Sequence, residues 1–211
     1  MSNQHAHTSR TLFPAIALAC VILNQGSCGQ SDKSQIDPKN FQVLGFTLGS
    51  NEVEELEAKL GRAEVTHASE HAITQRCYVS SEPDRTTVVF EDWVGTLVGF
   101  RIESVGADSK LGCVTTSLIS ANLITGSGLL LGLNKDQVIA ILGKPTKMSD
   151  ETYFYHSDFE RPMNATEIER FKKVYPTGDF SHATISEWSD IELRFSEGRL
   201  ISIYVGRTES T

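Results

Sequence analysis

A short motif occurs twice in this chain, and it constrains the fold more than any other feature. Gly45-Phe46-Thr47-Leu48-Gly49-Ser50-Asn51 is matched by Gly128-Leu129-Leu130-Leu131-Gly132-Leu133-Asn134, with the Gly, Leu, Gly and Asn positions at one constant spacing. An amphipathic stretch follows each copy, and both stop alike, at Leu60-Gly61-Arg62 and Leu142-Gly143-Lys144. Strand-like segments come next in both. A chain that repeats a helix-then-strands unit is expected to be α+β. The expectation is two tandem modules, each with helix packed on a small antiparallel sheet.

The local chemistry supports the helices. Asn51 and Asn134 carry a short side-chain oxygen that satisfies free amides of a first helical turn. Glu54 and Gln137, three residues on, complete capping boxes. Val53, Leu56 and Leu60 form one apolar face; Val138, Ile141 and Leu142 form the other, with Ile139 alongside. Gly61 and Gly143 suit left-handed C-caps, and Pro145 prevents continuation. Alternating segments at 76–80, 86–90 and 96–103 predict the strands of the first copy, and those at 152–156, 191–195 and 200–205 the strands of the second. The second copy holds an insertion, residues 165–175, that reads as a further helix. Thr166 and Glu169 are its expected capping box, and Ile168, Phe171 and Tyr175 its apolar stripe. The domain plan is therefore a first module over 41–104, a linker over 105–124 and a second module over 125–207. Whether the two copies share one sheet stays open at this point.

The beginning of the chain points to export. Leu12 to Leu23 is an uninterrupted apolar run of 12 residues, short of the roughly 20 that span a bilayer. With a polar Arg10 segment before it and small residues after it, the run fits a signal peptide over residues 1–27. Gln25-Gly26-Ser27-Cys28 resembles a bacterial lipoprotein box, with Gln25 where an aliphatic residue is usual. The expectation is acylation at Cys28, followed by a polar, disordered tether over 28–40. Cys20 leaves with the leader, so Cys77 and Cys113 remain as an even pair in an oxidising compartment. They are expected to form a disulfide, against the alternative of two free buried thiols.

Charge narrows the partners. With 19 basic and 27 acidic residues the formal net charge is -8, which disfavours nucleic acid. Elements of catalysis are missing from the local sequence: it holds no Gly-x-Ser-x-Gly, His-Glu-x-x-His or Cys-x-x-Cys. His67 and His71 stand four apart but lack a third well-placed ligand, so a solvated loop is expected there and no metal. Glu91-Asp92 point to opposite faces of a strand and are expected in a solvated hairpin approach. The chain is thus expected to be non-catalytic and without cofactor.

The run from Gly128 through Leu131-Gly132, Asn134 and Leu142-Gly143-Lys144-Pro145, with strands after it, resembles the BamE (SmpA/OmlA) family, small lipoproteins of the outer-membrane barrel-assembly machinery. The same unit in tandem resembles the β-lactamase inhibitor protein fold. The resemblance covers residues 41–104 and 125–206, and Arg62-Ala63 replaces the Lys-Pro of the motif in the first copy. It implies a protein-binding module at the periplasmic face of the outer membrane or in the periplasm, whose partner is another envelope protein. The tandem arrangement implies an alternative, a secreted or periplasmic inhibitor or immunity-type protein that binds a target enzyme. Tyr153, Tyr155 and Trp188 are the expected partner-binding residues: Tyr153 and Tyr155 share a strand face opposite the core residue Phe154, and they form either an exposed aromatic patch or packing beneath the insertion helix.

Overall fold

Turn chemistry sets the hairpins. Val94-Gly95 and Glu197-Gly198 both hold two consecutive residues at positive φ, the two-residue turn whose twist matches that of paired strands. The first joins β5 (Thr86–Trp93) to β6 (Thr96–Ser104), the second β10 (Thr184–Ser196) to β11 (Arg199–Ser210). Leu44-Gly45 repeats the device between the two-residue strands β1 (Gln42–Val43) and β2 (Phe46–Thr47). A register shift lies near each long hairpin's turn, at Glu91/Asp92 and at Arg194/Phe195.

The structure, a computed structural model, describes residues 36–67, 73–82, 85–104, 112–180 and 183–210. These belong to one compact unit, Lys33–Thr211. The expected signal peptide, the Cys28 acylation site, most of the tether and His71 lie outside the described residues.

All four long hairpin strands share one sheet. β4 (Ile73–Ser80) pairs with β5, and β6 with β11 from Ser202↔Glu103 to Gly206↔Gly99. β9 (Thr152–Pro162) pairs with β10. Short strands finish the edges: β3 (Val65–His67) and the parallel β7 (Val114–Thr116) against β4, and β8 (Lys147–Met148) against β9. Among the described residues the result is nine strands in one sheet, antiparallel except for β7. The strands expected for the two modules are therefore continuous through β6 and β11.

Alternation decides which face is core. Tyr78, Val88, Phe90, Phe100, Ile102, Ile191, Leu193, Ile203 and Val205 all point one way and are buried. Among the described residues three α-helices accompany the sheet: α1 (Val53–Leu60), α2 (Lys135–Leu142) and α3 (Ala165–Val174). From α1, Val53, Leu56 and Leu60 join the core, as expected. From α2 only Val138 is buried, while Ile139 and Ile141 stay exposed, which corrects the expected apolar face. α3 brings Phe171 to a separate small cluster with Phe180 and Ile185, against which Trp93 packs.

Two caps differ from expectation. Asn134 caps α2 with Gln137, as predicted. On α1 the cap is Glu52 with Glu55, one residue later than Asn51 with Glu54. Asn51 instead accepts the Thr47 amide at 2.7 Å and donates to Glu55. On α3 the cap is Asn164 with Glu167, two residues before the Thr166 and Glu169 of the sequence reading. Both sequences offer overlapping pairs with the same spacing, and the backbone entry selects between them.

The flanking segments are more ordered than their composition suggests. Pro38–Phe41 forms a 3-10 turn with Asn40 and Phe41 buried, so the end of the expected tether is folded. Residues 112–124 of the expected linker are packed too: Ile119 and Leu123 are core residues. Cys77 and Cys113 are disulfide-bonded, with Cα atoms 4.5 Å apart, tying this segment to β4.

Several bonds occur once in each half. Gly49 N–H donates to Leu97 O at 2.7 Å and Gly132 N–H to Leu200 O at 2.8 Å. Leu97 N–H returns to Asn51 O and Leu200 N–H to Leu133 O. The Tyr78 hydroxyl donates to Gly61 O at 3.0 Å, the Tyr155 hydroxyl to Gly143 O at 3.1 Å. In both halves a hairpin is thus bonded to the loop before the helix, and a core tyrosine holds the carbonyl of the helix's terminal glycine.

Candidate interaction surface

The sheet face opposite the main core is mostly polar, with aromatics set among the charges. Strand register arranges it in rows. One row runs His156, Asp190, Gly206, Gly99, Glu91, Gln75. The next runs Phe154, Glu192, Tyr204, Arg101, Val89. Trp188 lies beyond the first row, opposite Asp158 on β9 and Thr208 on β11. Near the tip of the β5–β6 hairpin this face gives way to the small apolar cluster, where Trp93 meets Phe171 at 5.7 Å between ring centroids.

The middle of the face is preorganised. Gly99 and Gly206 stand opposite each other on the β6–β11 seam. A Cβ on Gly206 would lie 2.6 Å from the Tyr204 hydroxyl oxygen, and one on Gly99 2.8 Å from Glu91 Oε2. The missing side chains let the phenol and the carboxylate lie down along the sheet. There the Tyr204 hydroxyl donates to Glu91 Oε2 at 3.3 Å, and Gln75 Nε2 donates to Glu91 Oε1 at 2.8 Å. The Arg101 guanidinium covers the Tyr204 ring at 5.1 Å, a cation–π contact. Burial, and then the neighbouring Glu91 carboxylate, raise the Tyr204 pKa well above the ordinary tyrosine value. Nearer β9, His156 Nδ1 and Asp190 Oδ1 are 2.7 Å apart in an exposed cross-strand pair.

Of the expected partner-binding residues, Trp188 is half-buried on this open face. Tyr153 and Tyr155 are not on it. Their faces are the reverse of expectation: they are 6% and 7% exposed on the core side, while Phe154 is 37% exposed on the open side. Nor do they lie beneath the insertion helix, since both belong to the main core cluster and Phe171 of α3 to the other. A buried phenol needs a partner for its hydroxyl. Tyr155 has one in Gly143 O, and Tyr153 packs on Phe195 at 4.9 Å between centroids. Burial pushes the Tyr155 pKa up to about 12, as it does for Tyr78.

A second constellation is ionic and mostly buried. Glu187, Arg207 and Glu209 occupy core-side positions at the far ends of β10 and β11 and meet Arg161 of β9 and Glu167 and Arg170 of α3. Arg207 donates to Glu187 at 2.7 Å, and Arg161 binds both Glu167 oxygens. Burial alone would raise the Glu167 pKa, but the Arg161 hydrogen bonds and the Asn164 amide hold it below the ordinary carboxylate value. The Glu167 bond in turn raises the Arg161 pKa. Arg207 also reaches Leu48 O, passing where any side chain on Gly49 would clash. A smaller analogue sits in the first half. Arg76 donates to Glu57 at 2.9 Å and pairs with Asp92, which also accepts from Thr74. Asp92 is thus buried, not solvated as its hairpin position suggested.

These ionic groups were overlooked in the sequence because each sits alone on its own element. Their phase is the signal: Glu187 continues the inward series Ile185, Ser189, Ile191, Leu193, and Arg207 and Glu209 continue Ile203 and Val205. Among the described residues no group of three or more His, Cys, Asp or Glu side chains is arranged to hold a metal ion. No helix among them is long and apolar enough to cross a membrane.

No family model matches the chain, and no curated protein matches it. Neither comparison therefore supports membership of the BamE family. Among solved structures, the crystal structure of a Streptococcus mutans protein provisionally named a β-lactamase inhibitor protein aligns over 81% of this chain and 90% of its own, with 16% identity and a TM-score of 0.22. A likeness that weak carries no weight for this chain.

Proposed function

We propose that this protein is a non-catalytic, protein-binding module of the cell envelope, exported by its leader and anchored through lipid on Cys28. In this reading it is built from two diverged copies of one unit and contacts another envelope protein, in outer-membrane assembly or maintenance. The open sheet face carries the proposal. It sets Trp188, Tyr204 and Phe154 among charged groups on a rigid sheet, the mixture that protein interfaces favour. The paired bonds at Gly49 and Gly132, and at Tyr78 and Tyr155, support the two-copy reading. The acidic balance supports a protein partner over nucleic acid.

A second reading, an inhibitor or immunity-type protein that binds a target enzyme, draws on the same face. The observation that favours it is the continuity of the sheet through β6 and β11, which offers one broad surface instead of two small ones.

Crosslinking in intact cells, followed by affinity purification and mass spectrometry of the envelope fraction, tests both. Recovery of barrel-assembly components or other outer-membrane proteins is the expected result. A single hydrolase recovered in stoichiometric amount moves the function to the inhibitor reading. Recovery of abundant background proteins alone refutes the binding role. A Cys28→Ala variant tests the anchor: it should lose both the mass shift of acylation and membrane fractionation, and retention of either refutes lipidation.

A further inference from the structure

On the core side of β9 and β10 the apolar series stops at Tyr155 and Ile191. The next inward pair is Ser157 and Ser189, directly opposite each other. Both are inside, at 6% and 1% exposed. Apolar side chains at these two positions would have continued the core; two serines leave a cavity of about 210 Å³. The 3-10 turn roofs it through Pro38 and Phe41, and Phe159 forms one wall. Pro38 is exposed, so the roof is at the surface. An engineered cavity of about 150 Å³ takes up benzene, so this one has room for a six-membered ring with its substituents. The charges at its border are already matched: Glu187 accepts from Arg161 and from Arg207. The Ser157 hydroxyl is not matched. Its oxygen is buried and has no hydrogen-bond partner among the described residues, and a buried hydroxyl left unpaired costs stability.

We propose that this cavity binds a neutral hydroxylated ring, one pyranose unit of a carbohydrate, with ring hydroxyls bonded to Ser157 and Ser189 and the ring's C–H face against Phe41 and Phe159. The chemistry follows by matching. A charged ligand would bring an unpaired charge to a border whose charges are already paired. A wholly apolar ligand would leave the Ser157 hydroxyl without a partner. A sugar hydroxyl both donates and accepts, as a serine hydroxyl does, while the ring carbons suit aromatic walls. The cavity lies on the other side of β9 and β10 from the open face, so this site and the docking face stand or fall separately.

The test titrates the 15N-labelled protein with methyl glucoside and methyl N-acetylglucosaminide, which are neutral, and with glucuronate and glucosamine, which carry a negative and a positive charge. At least one neutral ring should shift the amides of Ser157, Ser189, Phe41 and Phe159 saturably and leave the Trp188 indole in place. The charged rings should bind at least about ten-fold more weakly, the equivalent of 1.4 kcal/mol. Ser157→Ala should weaken the neutral ring by about ten-fold without lowering the urea midpoint of the free protein, because the hydroxyl has no partner to lose there. Ser157→Val/Ser189→Val, which fills the cavity, should abolish binding. The absence of saturable shifts from both neutral rings overturns the proposal and leaves the cavity to water. Tighter binding of a charged ring overturns the neutral class, and unchanged affinity in Ser157→Ala overturns the seat. A midpoint that falls in Ser157→Ala makes the hydroxyl a structural group and overturns its role in binding.

Discussion

The first half of the molecule, up to β6, and the second, from α2 onward, share a bonding plan but secure it by different means. In each, the loop before the helix is bonded to a hairpin, and a tyrosine holds the carbonyl of the helix's terminal glycine. α1 then buries three apolar side chains, and a disulfide ties β4 to the segment that follows β6. α2 buries one. The second half compensates with longer strands and with the ionic cluster that pins α3. The contrast teaches that two halves can keep one hydrogen-bonded frame while the packing around it differs, apolar in one and ionic in the other.

Breaking the ionic cluster should have the largest effect. Glu187 is 5% exposed and accepts from two guanidiniums, so Glu187→Gln should cost about 3–5 kcal/mol in urea unfolding. A loss under about 1 kcal/mol would mean the cluster is solvated and the second half is held by other contacts. Removing the disulfide by Cys77→Ala/Cys113→Ala should cost roughly 3–4 kcal/mol, from reopening the loop it closes. Leu56→Ala on α1 should cost about 3 kcal/mol, since its side chain is fully buried.

Smaller effects test the likeness between the halves instead of the difference. Tyr78→Phe and Tyr155→Phe should each cost about 1 kcal/mol, because each leaves one glycine carbonyl without its donor. Unequal losses would break the correspondence. The same two phenols give a pH signature. Their folded pKa values lie at about 12, above the unfolded value of 10.0, so the neutral form is favoured in the folded state. Their stabilising contribution is complete below pH 10 and lost as pH rises toward 12. Tyrosinate absorbance followed together with unfolding should show the midpoint falling across that window, and a flat midpoint would contradict it. The smallest effect belongs to Ile141→Ala on α2, expected below about 1 kcal/mol because the side chain already meets solvent.

Much of this frame was legible from residues that act locally. Asn134 with Gln137 and Glu197-Gly198 each specify their structure within a few positions, so spacing alone placed them. Phase was legible on β9 but its sign was not. Tyr153 and Tyr155 alternate with Phe154, and nothing local says which set faces inward; the acceptor for Tyr155 lies on Gly143, at the end of another element. The ionic cluster was hidden for the same reason, because Arg161, Glu187 and Arg207 look like solvated charges until three strands bring them together. The open face emerged only when β6 met β11, which aligned Gly99 with Gly206 and laid Tyr204 over the seam.

The most direct test of the open face as the docking surface places a photo-crosslinking amino acid at position 154 on that face, and at position 139 on α2, in intact cells. The docking face predicts a discrete protein adduct from position 154 and none from position 139. An adduct from position 139 alone, or from neither position, would contradict it.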